Sequence, residues 1–157
     1  MKRFLIPFLV LPALSFPALA DSTITVTHGK TPDPTYLDFG VVGDSIGDQR
    51  IWEFGGTTTG DGSVVMDWVM TTTGQTVGTE GIENRMTSAV FSFGSGTSDR
   101  ILVQGIGAYP ATGSTVKLDS RLERAIIGGT GKYAGARGTV LTTHLEDGTW
   151  QHVFSIK

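Results

Sequence analysis

The sequence contains no cysteine, no cluster of basic residues and no long apolar segment beyond position 20. The absence of cysteine excludes a disulfide framework, a zinc–thiolate site and thiol catalysis. The absence of a basic stripe argues against a nucleic-acid backbone as a partner. Histidine is scarce as well. His28, His144 and His152 form no close pair along the chain, so we expect neither a metal site nor a cofactor.

The segment 1–20 has the three parts of a secretory signal peptide. Lys2 and Arg3 give a positive start, residues 4–16 are almost wholly apolar, and Ala18-Leu19-Ala20 is a cleavage site of the A-x-A type. The apolar stretch is too short, and too often interrupted by proline, to anchor the chain in a membrane. We therefore expect a cleaved signal peptide at 1–20 and a secreted or periplasmic domain at 21–157, without stable membrane insertion.

The segment 21–157 is rich in glycine and threonine and carries more acidic than basic side chains. Its length suits one domain with a core of its own. Seven to nine short stretches alternate polar and apolar residues between glycine-rich turns, and none has the periodicity of an amphipathic helix. The pattern predicts an all-β sandwich or barrel. We favour a closed antiparallel β-barrel, because closure removes exposed sheet edges.

The densest glycine cluster lies between Ala125 and Val140, where five glycines fall within eleven residues. Glycine weakens the interior of a strand, so such a cluster marks a bend, a bulge or a close backbone approach. We predict one strand from Glu123 to Leu145 that bends here and forms the corner of the barrel. A phosphate-binding loop does not fit, because Tyr133 follows Gly131-Lys132 where that loop requires serine or threonine.

The last hairpin of the chain can be interpreted residue by residue. If Asp147-Gly148 is a two-residue turn, Thr143 faces His152, and His144 lies on the opposite face from His152. The face that holds Thr143 is the more apolar one, so we expect it to line the interior. The same alternation, continued backward, places Arg137 inside as well. The other side chains expected inside are Leu141, Leu145, Trp150 and Phe154 of this hairpin and Phe91 and Phe93 of an earlier strand.

Two of these inward residues carry chemistry. A cation inside an apolar barrel must be paired or must face a ligand, which makes Arg137 a candidate site residue. The alternative is an exposed strand arginine paired with an acidic neighbour. His152 beside Thr143 is either a candidate proton relay or a histidine whose hydrogen bonds are satisfied within the core.

An earlier hairpin leaves the subunit number open. A two-residue turn at Asp61-Gly62 would leave large apolar side chains, among them Phe54 and Trp68, on both faces of the hairpin. Either the loop is longer than two residues, or one face packs on another subunit and the protein is a homo-oligomer, a dimer or a trimer.

The segment from Ala125 to Gly138 resembles the signature G-G-T-G-[KA]-[FY]-x-x-A-R-G of the allene oxide cyclase and dirigent barrel superfamily. Looser similarities are Gly47-Asp48 before a strand, Gly74 to Gly78 at a turn, and Val103-Gln104-Gly105. The likeness is greatest to bacterial secreted members of the allene-oxide-cyclase-like group. The resemblance implies an eight-stranded antiparallel barrel, often trimeric, with an apolar cavity. It also implies cyclisation or coupling of reactive apolar intermediates without metal or nucleotide. Tyr133 and Arg137 occupy matching signature positions.

We therefore expect a barrel that binds a small apolar molecule, with cofactor-independent isomerase or cyclase activity as one hypothesis. In it, Arg137 anchors a carbonyl or carboxylate, and His152 with Thr143 polarises the ligand or relays a proton. Two alternatives remain, a non-catalytic carrier of a lipid or other small molecule and a structural oligomeric envelope protein with a filled lumen. The expected ligand-lining residues are Tyr133, Leu141, Leu145, Trp150, Phe154, Phe91 and Phe93.

Overall fold

The computed structural model describes residues 21–60, 62–75, 80–95, 98–111, 113 and 115–157. The expected signal peptide therefore lies outside the described residues. Within the described ranges, no helix is long and apolar enough to cross a membrane. The chain forms nine strands in these ranges, β1 (Ser22–His28), β2 (Thr35–Leu37), β3 (Gln49–Thr58), β4 (Ser63–Gln75), β5 (Ile82–Phe93), β6 (Arg100–Pro110), β7 (Arg121–Thr130), β8 (Gly138–His144) and β9 (Trp150–Ile156), and one 3₁₀ turn at Gly131–Tyr133.

Eight of the strands close into an antiparallel barrel, which confirms the predicted fold class. Strands β3 to β9 pair in chain order, β9 pairs with β1, and β1 closes the ring on β3 through Val26 and Thr27. The short strand β2 pairs with the other half of the same β3 edge, opposite residues 49–51. Gly56 allows the close approach at this seam, since a Cβ there would lie 2.8 Å from the Thr27 carbonyl oxygen.

One half of the lumen is filled by aromatic side chains. Phe91 contacts Phe154 with ring centroids 4.8 Å apart, Phe93 lies 6.2 Å from Phe154, and Tyr133 lies 4.9 Å from Phe93. All four side chains are buried. We call this half, which lies where β7 leads into the 3₁₀ turn, the filled end. Its edge-to-face ring contacts are those that stabilise aromatic cores.

The glycine cluster forms a corner, but not within one strand. The predicted single strand from Glu123 to Leu145 is wrong, because the 3₁₀ turn separates β7 from β8. The expected bulge is present: Leu102 pairs with Gly128 and Val103 with Ile126, so Ile127 is the extra residue of β7. The expected close approach is present at Gly138, which has φ 132° and whose missing side chain would collide with the Ser155 carbonyl oxygen.

The last hairpin has a three-residue loop instead of the predicted two-residue turn. The Leu145 N–H donates to the Thr149 carbonyl at 2.8 Å, and the Gly148 N–H donates to the Leu145 carbonyl at 2.9 Å. Gly148 has φ 81°, as expected for the left-handed residue that ends such a loop. The register of β8 is therefore shifted by one residue, and Thr142 is the partner of His152. This shift reverses the two faces of β8 and leaves the predicted faces of β9 unchanged.

The β3–β4 hairpin also has a longer loop than two residues. Trp52 pairs with Trp68 and Phe54 with Met66, and all four side chains face the lumen. The apolar side chains of these two pairs share one face, whereas the outer face carries Ile51, Val69 and the exposed Val65, and the subunit number stays a prediction. Asp61, half of the expected turn, lies outside the described residues.

Candidate functional site

The half of the lumen opposite the filled end contains a cavity with mainly aromatic walls. The empty space between the lining side chains is about 380 Å³ when its open mouth is included, but the centre of a water molecule can reach only about 30 Å³ of it. The cavity is therefore a narrow slit that holds about two water molecules. Its aromatic lining consists of His28, Trp52, Phe54, Trp68, Tyr109, Trp150 and His152.

Several of the lining rings lie in nearly parallel planes. Trp150 stacks on His144, which does not itself line the cavity, with centroids 4.1 Å apart and an interplanar angle of 6°. On the other side, His28 is parallel to Trp150 at 6.0 Å and to His152 at 5.2 Å. These parallel rings come from the adjacent strands β8, β9 and β1. They stack on one another, which leaves no room for a guest between them, so a flat guest would contact only the ring surfaces that face the slit.

Arg124 is the cation of this cavity. Its side chain projects from the inner face of β7 and is 3% exposed. Nη1 donates to Thr142 Oγ1 at 3.0 Å, Nη2 donates to the Tyr109 hydroxyl at 2.7 Å, and the guanidinium lies 5.1 Å from the Trp68 ring centroid. Gly105 makes room for it, since a Cβ there would lie 2.8 Å from Arg124 Cγ. Among the described residues, Arg124 has no acidic partner.

Thr142 links Arg124 to His152. Thr142 Oγ1 lies 3.0 Å from His152 Nδ1. Because a guanidinium can only donate, the threonine oxygen accepts from Arg124, and its own proton can go to His152 Nδ1. This direction leaves the imidazole proton on Nε2. Burial, together with the nearby His28 and Arg124, lowers the pKa of His152 well below 6.5, so the ring is neutral at pH 7.

His28 stands beside His152 and is only partly buried. Its Nδ1–H donates to the Gly29 carbonyl at 2.8 Å. Burial lowers the pKa of His28 to about 4, although the hydrogen bond to Gly29 opposes this shift. Both imidazoles of the cavity are therefore uncharged near neutral pH, and Arg124 carries the only charge among the described lining residues.

A second buried polar group adjoins the cavity through Tyr109. Glu83 accepts a hydrogen bond from Arg85 and lies 3.3 Å from Arg50, with a third contact from Thr72 Oγ1 at 3.2 Å. The Arg85 guanidinium lies 4.9 Å from the Tyr109 ring centroid. Two arginines therefore neutralise Glu83, and this carboxylate is not the counter-ion of Arg124.

The structure corrects the position of the predicted anchor and of its neighbours. Arg137 is exposed and donates from Nη1 to the Ala136 carbonyl at 2.7 Å, so its inward placement is wrong. Thr143 lies on the outer face, and Thr142 takes the place predicted for it beside His152. Leu141 is 36% exposed, and Leu145 begins the loop of the last hairpin, so neither reaches the lumen. All these errors follow from the one-residue shift in the register of β8.

The remaining predicted residues lie in the lumen, but they divide between its two halves. Trp150 and His152 line the cavity, as expected. Phe91, Phe93, Phe154 and Tyr133 pack against one another at the filled end, with Phe91 reaching His152 at 5.3 Å. What any of these residues does for a ligand stays a prediction.

His144 and His152 lie on the same face, contrary to the sequence-based expectation, because Thr142 and His144 both point inward. His144 Nδ1 lies 2.9 Å from the Val116 carbonyl, which it can reach as a donor. Across the part of the chain that the structure describes, no three acidic or histidine side chains are grouped as metal ligands.

Sequence reasoning missed Arg124, Tyr109 and Trp68 as site residues. A signal for Arg124 was present, since Leu122, Arg124 and Ile126 alternate with Glu123 and Ala125. This alternation places Arg124 on the apolar face of its strand. Gly105 and Gly107 on the facing strand were a second signal, because glycines in a strand mark room for a neighbour.

Comparisons with known proteins support the fold. No family model matches the chain, and no curated protein matches it significantly. A solved structure named "Pyocyanin demethylase" superposes on 88% of this chain and 100% of its own, with a TM-score of 0.59 and 18% sequence identity. At this identity the likeness shows a common fold and nothing finer. The chain has the antiparallel eight-stranded barrel fold, which it shares with an enzyme.

Proposed function

We propose that the cavity binds a small, flat, largely apolar molecule. The observation that carries this proposal is the contrast between the two halves of the lumen. Phenylalanine side chains fill one half, whereas parallel aromatic rings in the other half border a slit. Aromatic walls with a few polar groups are typical of small-molecule sites. A guest larger than two water molecules must widen the slit, and a planar guest that stacks on a wall requires the least widening.

Cofactor-independent catalysis, as an isomerase or cyclase, is the first candidate use of this site. The Nε2–H of His152, which Thr142 orients, adjoins a buried guanidinium, and two such donors are suited to polarising a carbonyl of a bound molecule and stabilising negative charge that develops on its oxygen. A closed lumen would also hold one conformer of a reactive molecule and keep water away. The name of the structural neighbour is that of an enzyme, which is compatible with this use at the level of fold.

A non-catalytic carrier is the second candidate, and the same cavity supports it. A carrier needs the aromatic walls but does not need the Thr142–His152 pair. Substituting His152 by phenylalanine keeps an aromatic wall but removes the Nε2–H, so it should lower turnover by an enzyme about 100-fold or more and weaken binding by a carrier only about 10-fold. A purely structural role is less well supported, because side chains fill only half of the lumen.

The signature segment and the N-terminal segment 1–20 carry two further parts of the proposal. The glycines at 128, 129, 131, 135 and 138, with Tyr133 and Arg137, support membership in the allene oxide cyclase and dirigent barrel superfamily. The pattern of segment 1–20 supports export to the periplasm or the medium.

Binding can be tested on the chain from residue 21 onward by its tryptophan fluorescence. Trp68 and Trp150 line the cavity, so a flat guest should quench emission in a saturable way. We suggest neutral compounds of one to three fused rings, with 2-naphthamide as the middle member. Thr142→Phe should fill the slit and abolish quenching, whereas Leu141→Phe, one residue away on the outer face, should leave it intact. If neither neutral nor anionic members of the series bind, the proposed function is wrong.

A further inference from the structure

Three buried N–H groups of the cavity have no acceptor. Among the described residues, five buried side-chain polar atoms lack a hydrogen-bond partner within the protein. Three of the five belong to residues that line the cavity, namely Trp68 Nε1, Arg124 Nε and His152 Nε2. Buried donors without acceptors are rare in native proteins because they are destabilising, so a cluster of them requires an explanation.

The three groups belong to one contact cluster. The Arg124 guanidinium lies 5.1 Å from the Trp68 ring centroid, and the Trp68 and His152 rings are 5.7 Å apart. Thr142 connects Arg124 to His152 by hydrogen bonds of 3.0 Å on each side. Since the Thr142 proton goes to Nδ1, the free Nε2 of His152 is a donor, as are the other two. The three donors are covered in this structure, so a ligand reaches them only when the surrounding rings move apart.

The charge of the cavity also favours a ligand that accepts hydrogen bonds. Arg124 is a buried cation with no acidic partner in the described ranges, and Glu83 is already neutralised by Arg50 and Arg85. No described lining residue of the cavity is acidic. A buried guanidinium is stabilised by an anion that reaches it, and a cationic guest would be repelled.

We infer that the ligand is a flat conjugated molecule with one delocalised oxyanion, such as a carboxylate, enolate or phenolate, which serves as the counter-ion of Arg124. Trp68 Nε1 and His152 Nε2 complete the set of donors around this oxygen. A phosphate fits less well, because its higher charge needs more than one cation. The inference rests on the proposed binding function and adds to it the chemical class of the ligand.

A pair of nearly isosteric probes tests the class. The anion 2-naphthoate and its neutral amide, 2-naphthamide, have the same ring system and differ in charge. We expect the wild-type protein to bind 2-naphthoate about 10- to 100-fold more tightly, the difference that a hydrogen bond to a charged group makes. Arg124→Met should remove this preference and change 2-naphthamide binding little. Arg137→Met, at an exposed arginine, should preserve the preference.

A second measurement needs no variant and so does not depend on Arg124→Met folding. In ¹⁵N NMR spectra of the wild-type protein, the Trp68 Nε1–H resonance should shift downfield with 2-naphthoate and move less with 2-naphthamide. Equal affinity for the two probes would overturn the inference and leave the proposed binding function standing. A preference that survives in Arg124→Met, or that disappears in Arg137→Met, would overturn it as well. Failure of both probes to bind counts against the proposed function itself.

Discussion

Thr142 and His152 face each other across β8 and β9, with Thr142 Oγ1 3.0 Å from His152 Nδ1. This pair fixes which residues of β8 point into the barrel. It also ties the imidazole to Arg124, whose Nη1 donates to the same threonine oxygen at 3.0 Å. The register of one hairpin thereby decides the chemistry of the cavity.

Two neighbouring threonines give a direct test of this register. Thr142→Val should destabilise the protein by about 1–3 kcal/mol, because Arg124 loses an acceptor and His152 loses a donor in a buried site. Thr143→Val, on the outer face, should change the free energy of unfolding by less than about 0.5 kcal/mol. Urea unfolding of both variants measures the difference. Equal effects, or a larger effect at Thr143, would show that the register is wrong.

The lowered pKa values of His28 and His152 predict how the free energy of unfolding depends on pH. His28 and His152 both have folded-state pKa values below 6.5, so the unfolded chain binds more protons as the pH falls below 6.5. The free energy of unfolding should therefore be highest above pH 6.5 and should decrease as the pH falls toward 4. The titrations of His152 and His28 act in the same direction, so the loss of stability should grow as the pH falls from 6.5.

The comparison is urea unfolding at pH 7.5 and pH 5, with His152→Gln as the control. The variant lacks one of the two titrating rings, so it should lose less stability than the wild type between these pH values. Equal or higher wild-type stability at pH 5 would mean that the imidazoles are not held neutral by burial.

Two adjacent glycines of the signature segment should respond very differently to alanine. A Cβ at Gly129 would lie 2.8 Å from the Arg100 carbonyl oxygen and would also collide with Tyr133, whereas a Cβ at Gly128 would meet only Arg137 Nη1 at 3.8 Å. Gly129→Ala should destabilise the protein by about 3 kcal/mol or more, and Gly128→Ala by less than about 1 kcal/mol. Thermal unfolding of the pair measures this contrast. Similar melting temperatures of the two variants would show that the close backbone approach at Gly129 does not stabilise the fold.

Asp48 should hold the loop after β2 in place. Its buried carboxylate accepts from the Tyr36 hydroxyl at 2.7 Å, the Ser45 N–H at 2.8 Å and the Phe39 N–H at 2.9 Å. These hydrogen bonds outweigh the effect of burial and lower the pKa of Asp48 to about 2. Asp48→Asn should destabilise the protein by about 2–3 kcal/mol. Asp38→Asn, where an exposed carboxylate accepts one bond of 3.3 Å from Gly43, is the control and should have little effect in the same urea titration.

The fold class, the closure of the sheet and the inward face of β9 could be predicted from the sequence. Alternation of polar and apolar residues shows which side chains of a strand point inward wherever the register of that strand is known. The sequence did not allow the face of β8 to be predicted. Asp147-Gly148 suits a two-residue turn, yet glycine is equally suited to the left-handed position that ends a three-residue loop, as Gly148 does here with φ 81°. One loop residue then moved Thr143 and Leu141 to the outside.

The type of candidate site was predicted correctly, but the residue that supplies its charge was not. A cation inside an apolar lumen was expected, and Arg124 fills that position in place of Arg137. The error arose from the register of β8, because the shift by one residue moves Arg137, which directly precedes this strand, to the outer face together with Leu141 and Thr143. The cluster of Arg124, Trp68 and Tyr109 joins β7, β4 and β6, and a contact between strands distant in the chain cannot be seen in local sequence patterns.

The most direct test of the account is a crystal structure of the protein with 2-naphthoate bound. We predict that the naphthalene ring stacks on an aromatic side chain that lines the slit, which widens to admit it, and that its carboxylate lies within hydrogen-bond distance of Arg124. A ring seated outside the barrel, or a carboxylate that points through the mouth into solvent, would contradict the account.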